Sequence, residues 1–346
     1  MKPRKPRRRR HFLSIVLHIL SVLVIIGFGA WGAMALNYHA PGPYPVKLGF
    51  AAIWVASSIA ALLAYFRWPR ATTLLYALMI AALLSWWNAI PARNDREWSD
   101  DVARTTQAVV NGSQVTLANI RSFDWRSDTE YDARWEIRTY DLDKLASVDL
   151  LLSYWSSPAI AHTLVSFGFD DGSFVTFSVE IRKEKTESFS EIGGFFKQFE
   201  MSVIAADERD IVRVRTNIRK EDVYLYRLAM PKPAIRSLFM SYVEQANNLT
   251  ETPSYYNTIT ANCTTIVFDM VNRIAGGGLP FDYRLVLSGY LPSYILENGG
   301  FTPGFTLEQL RQGGAITARG QAAGDAPDFS KRIREGVPGI ASTPQP

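Results

Sequence analysis

Three long apolar runs near the N-terminus constrain the fold of this chain more than any other feature. They cover residues 12–36, 46–66 and 72–90, and each is long enough for a helix to cross the roughly 30 Å of hydrocarbon in a bilayer. A cleaved signal peptide explains the first run less well, because the run is long, lacks a cleavage site and is followed by two more. The sequence therefore predicts a three-helix transmembrane anchor within residues 12–91.

Charged residues divide the chain into two parts. Residues 1–91 carry ten Lys and Arg and no Asp or Glu, which leaves 27 basic residues against all 33 acidic ones in the remainder. The overall pI near 9.0 averages a cationic membrane end with a mildly acidic body, so it does not indicate nucleic-acid binding. Since Lys and Arg concentrate on the cytoplasmic side, we expect a cytoplasmic basic tail over residues 1–11 and a globular domain over residues 92–317 outside the cytoplasm.

Periodic patterns in the remainder predict a mixed domain. Residues 162–182 alternate like two strands around an Asp-Asp-Gly turn, which indicates a β-hairpin, and residues 210–218 alternate like a further strand. Residues 232–251 and 262–278 have the spacing of amphipathic helices. Residues 318–346 are small, polar and rich in Pro and Gly, which predicts a flexible tail.

Cys263 is the only cysteine among 346 residues. Proteins outside the cytoplasm usually pair their cysteines, so a single one leaves three explanations: a buried inert side chain, an intermolecular disulfide or a nucleophile. The predicted helix starts at Asn262 or Cys263, with Asn262 as its cap. At a helix start, unpaired backbone N–H groups and the helix dipole favour the reactive thiolate. The same N–H groups could also stabilise an oxyanion.

A cysteine nucleophile needs a base, and the predicted outer domain contains one histidine, His162. The hairpin register places Glu180 opposite His162 on the same face, where its carboxylate could fix the tautomer of the imidazole. The alternatives are an ordinary strand-end histidine and an ion pair of Glu180 with Arg182 or Lys183. No zinc, nucleotide-binding or thiol-redox motif accompanies these residues, so we expect neither a metal nor a cofactor.

Five segments resemble, in order, the periplasmic domain of Lnb-type lipoprotein N-acyltransferases over about residues 112–317. They include AHTLVSFGF around His162, FSVEIRKEKTESFSEIGGFFKQFE after it, and YNTITANCTT around Cys263. The resemblance implies an α+β fold, in which the three-helix transmembrane anchor precedes a permuted papain-like (NlpC/P60-like) domain with an antiparallel sheet and a helix opened by the cysteine. The order of histidine before cysteine is similar to the permuted branch that includes lecithin:retinol acyltransferase.

For function, the resemblance implies a multi-pass protein of the bacterial inner membrane with a periplasmic thiol acyltransferase or hydrolase domain. Cys263 and His162 would act as a dyad, with Glu180 as a third member. They would move an acyl chain from a lipid or lipoprotein ester to an amine through an acyl-cysteine. The expected partners are the inner membrane and a lipoprotein or phospholipid substrate, without nucleic acid.

Candidate substrate contacts flank the dyad. Asn262 precedes the cysteine, and Phe195 and Phe196 lie in the aromatic, glycine-rich segment 191–199, which fits an acyl-contacting segment and a loop packed on the core equally well. Two other functions remain open. One is a cell-wall peptidase or amidase that uses the same dyad, and the other is a non-enzymatic anchored binding domain whose cysteine is inert.

Overall fold

The computed structural model describes residues 7–340, with side chains described from residue 13. These residues form two compact units: one contains the chain up to residue 92 together with residues 196–198, and the other contains residues 93–195 and those from 199 onward. The fold is α+β, with three apolar helices in the first unit and a mixed sheet in the second.

The helices of the first unit are α1 (Arg7–His39), α2 (Tyr44–Tyr65) and α3 (Pro69–Asn88). Each is long and apolar enough to cross a membrane, by length and composition, which confirms the three predicted apolar helices. Pro45 and Pro69 lie in the first turns of α2 and α3, where a helix needs no backbone donor. Residues 1–6 of the predicted basic tail lie outside the described residues, and α1 already begins at Arg7.

Hydrogen bonds between polar groups join the three helices. His18 Nδ1 lies 2.7 Å from the Tyr65 hydroxyl, which ties α1 to α2. The Tyr76 hydroxyl on α3 lies 3.0 Å from Ser58 Oγ on α2 and donates to the Ile25 carbonyl oxygen on α1, also at 3.0 Å. Hydrocarbon offers no competing donors or acceptors, so polar groups in such helices need partners of this kind. These contacts therefore hold the three helices in one arrangement.

Within the described residues, the strands of the second unit are β1 (Gln107–Asn111), β2 (Gln114–Arg121), β3 (Asp124–Trp125), β4 (Tyr131–Asp132), β5 (Trp135–Asp141), β6 (Leu145–Ser157), β7 (Ile160–Phe169), β8 (Phe174–Arg182), β9 (Glu200–Ala206) and β10 (Asp222–Arg227). Eight of them form one sheet in the order β1-β2-β9-β8-β7-β6-β10, with β5 paired to β2, while β3 pairs with β4. Neighbouring strands are antiparallel except β2 and β9, whose parallel pairing makes the sheet mixed.

Helices cover both faces of the sheet. They are α4 (Glu208–Ile211), α5 (Lys232–Glu251), α6 (Thr265–Ile274), α7 (Leu291–Glu297), α8 (Leu307–Gly314), α9 (Thr317–Ala323) and α10 (Phe329–Arg332). On one face, α5 packs Phe239 against Phe167 and Tyr242 against Phe177. Helix α5 has the bounds predicted from residues 232–251, because its apolar residues recur at helical spacing and form one buried stripe.

Strands β7 and β8 form the predicted hairpin with its predicted register. Leu164 lies opposite Ser178, and Gly168 lies opposite Phe174. Gly172 closes the turn with a φ of 82°, a left-handed conformation that favours glycine. Opposed residues of an antiparallel pair point to the same face of the sheet, so this register decides which side chains of the two strands can meet.

Residues 210–218 do not form the predicted strand. Helix α4 ends at Ile211, and a π-helical segment follows over Val214–Ile218. The alternation of apolar and charged residues misled the prediction because the charged side chains are buried as well. Asp210 and Arg215 are each at most 5% exposed and each forms an ion pair, so the segment has no alternating solvent face.

The prediction of a flexible tail over residues 318–346 is wrong for the part that the structure describes. Helices α9 and α10 cover the face of the sheet that α5 leaves open, where Phe329 and Ile333 are fully buried in a second hydrophobic cluster. Composition hid this because the few apolar side chains of the segment find their partners only on the folded sheet. Residues 341–346 lie outside the described residues.

A buried ion cluster fixes this C-terminal segment to the sheet. Arg334 donates to Asp149 at 2.9 Å and to Glu208 at 2.7 Å, and its guanidinium lies 3.7 Å from the ring centroid of Phe174. Both carboxylates are inaccessible to solvent. Because an unpaired buried charge is costly, the arginine and the two acids depend on one another.

Candidate active site

The residues around Asn262 position the only cysteine at the start of α6. The Asn262 side chain accepts hydrogen bonds from the backbone N–H groups of Thr264 at 2.8 Å and Thr265 at 2.9 Å, and its amide nitrogen donates to the Thr258 carbonyl at 2.8 Å. Asn262 thus satisfies the first donors of the helix. Helix α6 begins at Thr265, two residues after Cys263, so the cysteine lies just before the helix and not in its first turn.

A buried contact joins the start of α6 to strand β7. Thr163 Oγ1 and Thr264 Oγ1 are 2.9 Å apart. Thr163 follows His162 in the chain and Thr264 follows Cys263, so this contact brings the two candidate residues together. The Cys263 thiol and the His162 ring are close enough for each to shift the pKa of the other. The cysteine is 8% exposed, which leaves its sulfur largely shielded from water.

Glu180 lies beside the His162 ring, as the hairpin register predicts. Nε2 of His162 is 3.1 Å from Glu180 Oε1 and 2.7 Å from Ser178 Oγ. Ser178 Oγ also donates to Glu180 Oε1 at 2.7 Å. A ring nitrogen that faces a carboxylate carries a proton, so Nε2 donates to Glu180. The two strands therefore fix the orientation of the ring.

A buried arginine, which the sequence analysis missed, forms an ion pair with Glu180. Arg215 Nη2 lies 3.3 Å from Glu180 Oε1, and Arg215 Nε lies 4.0 Å from Glu221 Oε2. Glu221 in turn accepts a hydrogen bond from Ser153, the partner of His162 in the β6–β7 ladder. The sequence predicts the segment around Arg215 only as a strand, which gives no signal of this contact. The helical backbone of this segment is what lets the guanidinium reach the carboxylate.

The predicted alternative partners of Glu180 are engaged elsewhere. The Arg182 guanidinium lies 4.5 Å from the ring centroid of Trp98 and donates to backbone carbonyls, and Lys183 pairs with Asp101 at 3.5 Å. Among residues 7–340, no group of three or more His, Cys, Asp or Glu is arranged to hold a metal ion.

The three central groups shift one another's pKa. Burial opposes a charged imidazolium, yet the carboxylate of Glu180 and the sulfur of Cys263 raise the pKa of His162 to about 9. Burial also opposes ionisation of Glu180, but His162 and Arg215 hold the pKa of its carboxyl well below the ordinary value. Burial raises the pKa of the Cys263 thiol, but His162, with smaller contributions from Thr163 and Thr264, brings it below the ordinary value. The site therefore favours an imidazolium beside a carboxylate near neutral pH, and it makes the thiol easier to ionise than an ordinary cysteine.

Tyr256, also missed from the sequence, brings a hydroxyl next to the sulfur. Burial and the nearby Cys263 raise the pKa of Tyr256 well above its ordinary value, so the phenol keeps its proton and remains a donor. The sequence offered one signal of this role: Tyr256 is the first residue of the YNTITANCTT segment, which contains the cysteine.

The two predicted phenylalanine contacts belong to different units. Phe195 is 41% exposed in the loop between β8 and β9. Phe196 belongs to the first unit, where its ring stacks on Tyr38 with centroids 5.5 Å apart and its carbonyl lies 2.6 Å from His39 Nε2. Phe196 therefore fits the alternative of a packed loop, whereas the side chain of Phe195 is exposed.

The family model of the Lnb N-terminal periplasmic domain matches residues 131–289. This range contains His162, Glu180 and Cys263 and excludes the three apolar helices. The match confirms the resemblance stated from the sequence, and the chain is Lnb-like over this region. No curated protein and no solved structure matches the chain.

Proposed function

From the match of residues 131–289 to the Lnb N-terminal periplasmic domain, we propose that this chain is a membrane-anchored periplasmic thiol acyltransferase with a permuted papain-like catalytic domain. Cys263 is the nucleophile, His162 moves protons and Glu180 orients the ring. The observation that carries the proposal is the contact of Thr264 with Thr163, which brings Cys263 to His162, together with the hydrogen bond of His162 with Glu180. A thiol, an imidazole and a carboxylate placed together are what covalent acyl transfer by a cysteine requires.

The first half of the proposed reaction forms an acyl-cysteine. The Cys263 thiolate attacks the carbonyl carbon of a lipid or lipoprotein ester, and a C–S bond forms. When the tetrahedral intermediate collapses, the C–O bond to the alcohol breaks. His162, which is protonated at the start, gives its proton to the departing oxygen. The products of this half are a thioester on Cys263, a neutral alcohol and a neutral imidazole.

The second half transfers the acyl chain. A primary amine attacks the thioester carbon, a C–N bond forms, and the C–S bond breaks. His162 takes the proton that the amine loses, which restores the imidazolium beside the thiolate. The product is an amide. If water attacks in place of the amine, the same steps release a carboxylic acid, so the amount of hydrolysis depends on how well the site admits an amine and excludes water.

Negative charge develops on the carbonyl oxygen during both halves. Tyr256 offers a neutral hydroxyl next to the sulfur that forms the tetrahedral centre. A donor that is already in place when the charge appears lowers the barrier without reorganisation. We assign Tyr256 to this role, and Asn262 to positioning, because its amide is used by backbone groups around the cysteine.

The three apolar helices serve as the anchor. Three crossings, with the basic N-terminus in the cytoplasm, put the catalytic domain in the periplasm of a bacterial inner membrane protein. An anchor confines the enzyme to the surface that holds lipidated substrates, which raises their effective concentration without any new contact.

The mass of lipoprotein N-termini tests this proposal. Lipoproteins from cells that express the wild-type chain are compared with those from cells that express Cys263→Ser and from cells that express neither. We expect an added N-terminal acyl group in the wild-type cells alone, because serine cannot replace a thiolate held by an imidazolium. Identical acylation in all three strains would reject the acyltransferase. Altered cell-wall peptides together with unchanged lipoproteins would replace it with a peptidase.

A further inference from the structure

Exposed apolar side chains gather on three segments near the candidate site. Phe189, Ile192 and Phe195 lie on the loop between β8 and β9, Trp155 lies near the end of β6, and Ile259 lies on the turn before the cysteine. Their exposed fractions are 57, 55, 41, 44 and 44%, in that order. A contiguous exposed apolar patch usually marks a binding surface. We call these five residues the apolar rim.

The three segments of the apolar rim contact one another. The rings of Trp155 and Phe189 are perpendicular, with centroids 6.4 Å apart. Thr258 Oγ1 donates to the Glu191 carbonyl at 2.9 Å. Gly194 approaches Thr258 so closely that a Cβ at this position would overlap its hydroxyl. The rim is therefore one patch and not five isolated side chains.

The rim borders the proposed dyad on two sides. Ile259 stands on the tight turn that ends at Cys263. Trp155 lies two positions beyond Ser153, which pairs with His162 across the β6–β7 ladder. Cys263 thus lies within a few residues of the rim along the chain, and His162 lies within a few residues of it across the ladder.

We propose that the apolar rim binds the acyl chain of the lipid ester, an inference that rests on the proposed function. None of its five side chains is charged, so a hydrocarbon chain gains most from the contact. The loop that carries Phe195 continues directly into residues 196–198, which belong to the first unit, where Phe196 stacks on Tyr38. This loop of the rim is therefore covalently continuous with the unit that holds the three apolar helices, and acyl chains are the abundant ligand of a membrane.

Alkylation of the full-length protein in detergent tests this site, because Cys263 is the only cysteine. The probes are N-ethyl- and N-dodecyl-iodoacetamide, which share a reactive group and differ in chain length. We expect the wild type to react faster with the dodecyl probe by about tenfold or more, since each buried methylene adds to binding. Phe189→Ser and Ile259→Ser should bring this ratio towards one. Ile137→Ser is the matched control, because Ile137 is 73% exposed but lies on β5, outside the rim.

The following outcomes test the acyl site. Rim variants that keep the wild-type ratio, or that slow both probes equally, overturn the acyl site. If the wild type prefers the dodecyl probe in detergent but not in lipid vesicles, the rim binds the bilayer surface, and the acyl site is overturned as well. A dodecyl preference that depends on the rim, in a protein that transfers no acyl chain from any ester, supports the site while the proposed function fails. Acyl transfer without any preference between the probes keeps the function and removes the site.

Discussion

Replacing Glu180 with glutamine removes the buried carboxylate that keeps His162 charged. In the wild type the pKa of His162 is about 9, against an ordinary value of 6.5. At about 1.4 kcal/mol for each pKa unit, the surroundings favour the imidazolium by about 3 kcal/mol. Glu180→Gln keeps the shape of the side chain but leaves Arg215 near the ring with no negative charge between them. We therefore expect the pKa of His162 to fall to its ordinary value or below.

The loss of the imidazolium should be visible at the thiol. His162 lowers the pKa of Cys263, so without a charged ring the pKa of the thiol must rise. The assay is the rate at which iodoacetamide alkylates the full-length protein between pH 4 and 10. The wild type should react well below the ordinary thiol pKa of 9.0. In Glu180→Gln the midpoint should move up, and the rate at pH 6 should fall by about tenfold or more because only the thiolate reacts.

Glu136→Gln provides the matched control for this experiment. It makes the same chemical change on β5, where Glu136 is partly exposed and pairs with Arg138 at 2.6 Å. Its alkylation profile should superimpose on that of the wild type. If Glu180→Gln also gave the wild-type profile, the carboxylate would not be what holds the imidazole charged, and the electrostatic account of the site would be refuted.

Three further results are expected. Tyr256→Phe should lower kcat for acyl transfer about 100-fold through loss of the oxyanion donor, with alkylation of the cysteine near the wild-type rate. Arg334→Met should lower the free energy of unfolding by about 3–5 kcal/mol in a denaturant titration, because buried Glu208 loses its ion-pair partner and buried Asp149 keeps only Arg227. Arg332→Met, whose ion pair is exposed, should cost less than about 1 kcal/mol. The free energy of unfolding should fall by clearly less than about 3 kcal/mol between pH 6.5 and 9, because the raised pKa of His162 loses its contribution as pH rises while the lowered pKa of Cys263 gains one. Slow alkylation of Tyr256→Phe, equal costs for the two arginines, or a fall of the full 3 kcal/mol would contradict these expectations.

The parts of the fold that depend on local periodicity could be predicted from the sequence. The apolar runs specified three long helices, and the spacing in residues 232–251 gave α5 its bounds. The Asp-Asp-Gly turn fixed the register of the hairpin, so the approach of Glu180 to His162 followed from pairing alone. In each case a short stretch of chain carries all the information that its geometry needs.

The parts that depend on distant partners could not be predicted. Arg215 reaches Glu180 because a charged segment folds as helix where its alternation resembles a strand. Arg334 belongs to a segment with the composition of a disordered tail, and its partner Asp149 lies 185 residues earlier in the chain. Buried charges of this kind look like solvent-exposed residues in a sequence, because only the tertiary fold shows that each has a partner.

The most direct test of the central claim is the mass of the peptide that contains Cys263 after the full-length protein meets an ester. Wild type and His162→Ala are mixed with phosphatidylglycerol vesicles of one defined acyl chain, quenched with acid and digested. The account predicts one acyl group on Cys263 in the wild type, removable by neutral hydroxylamine as a thioester, and far less in His162→Ala. Cys263 that stays unmodified in the wild type, or an equal acyl load in both proteins, would contradict the claim that this thiol and this imidazole act together.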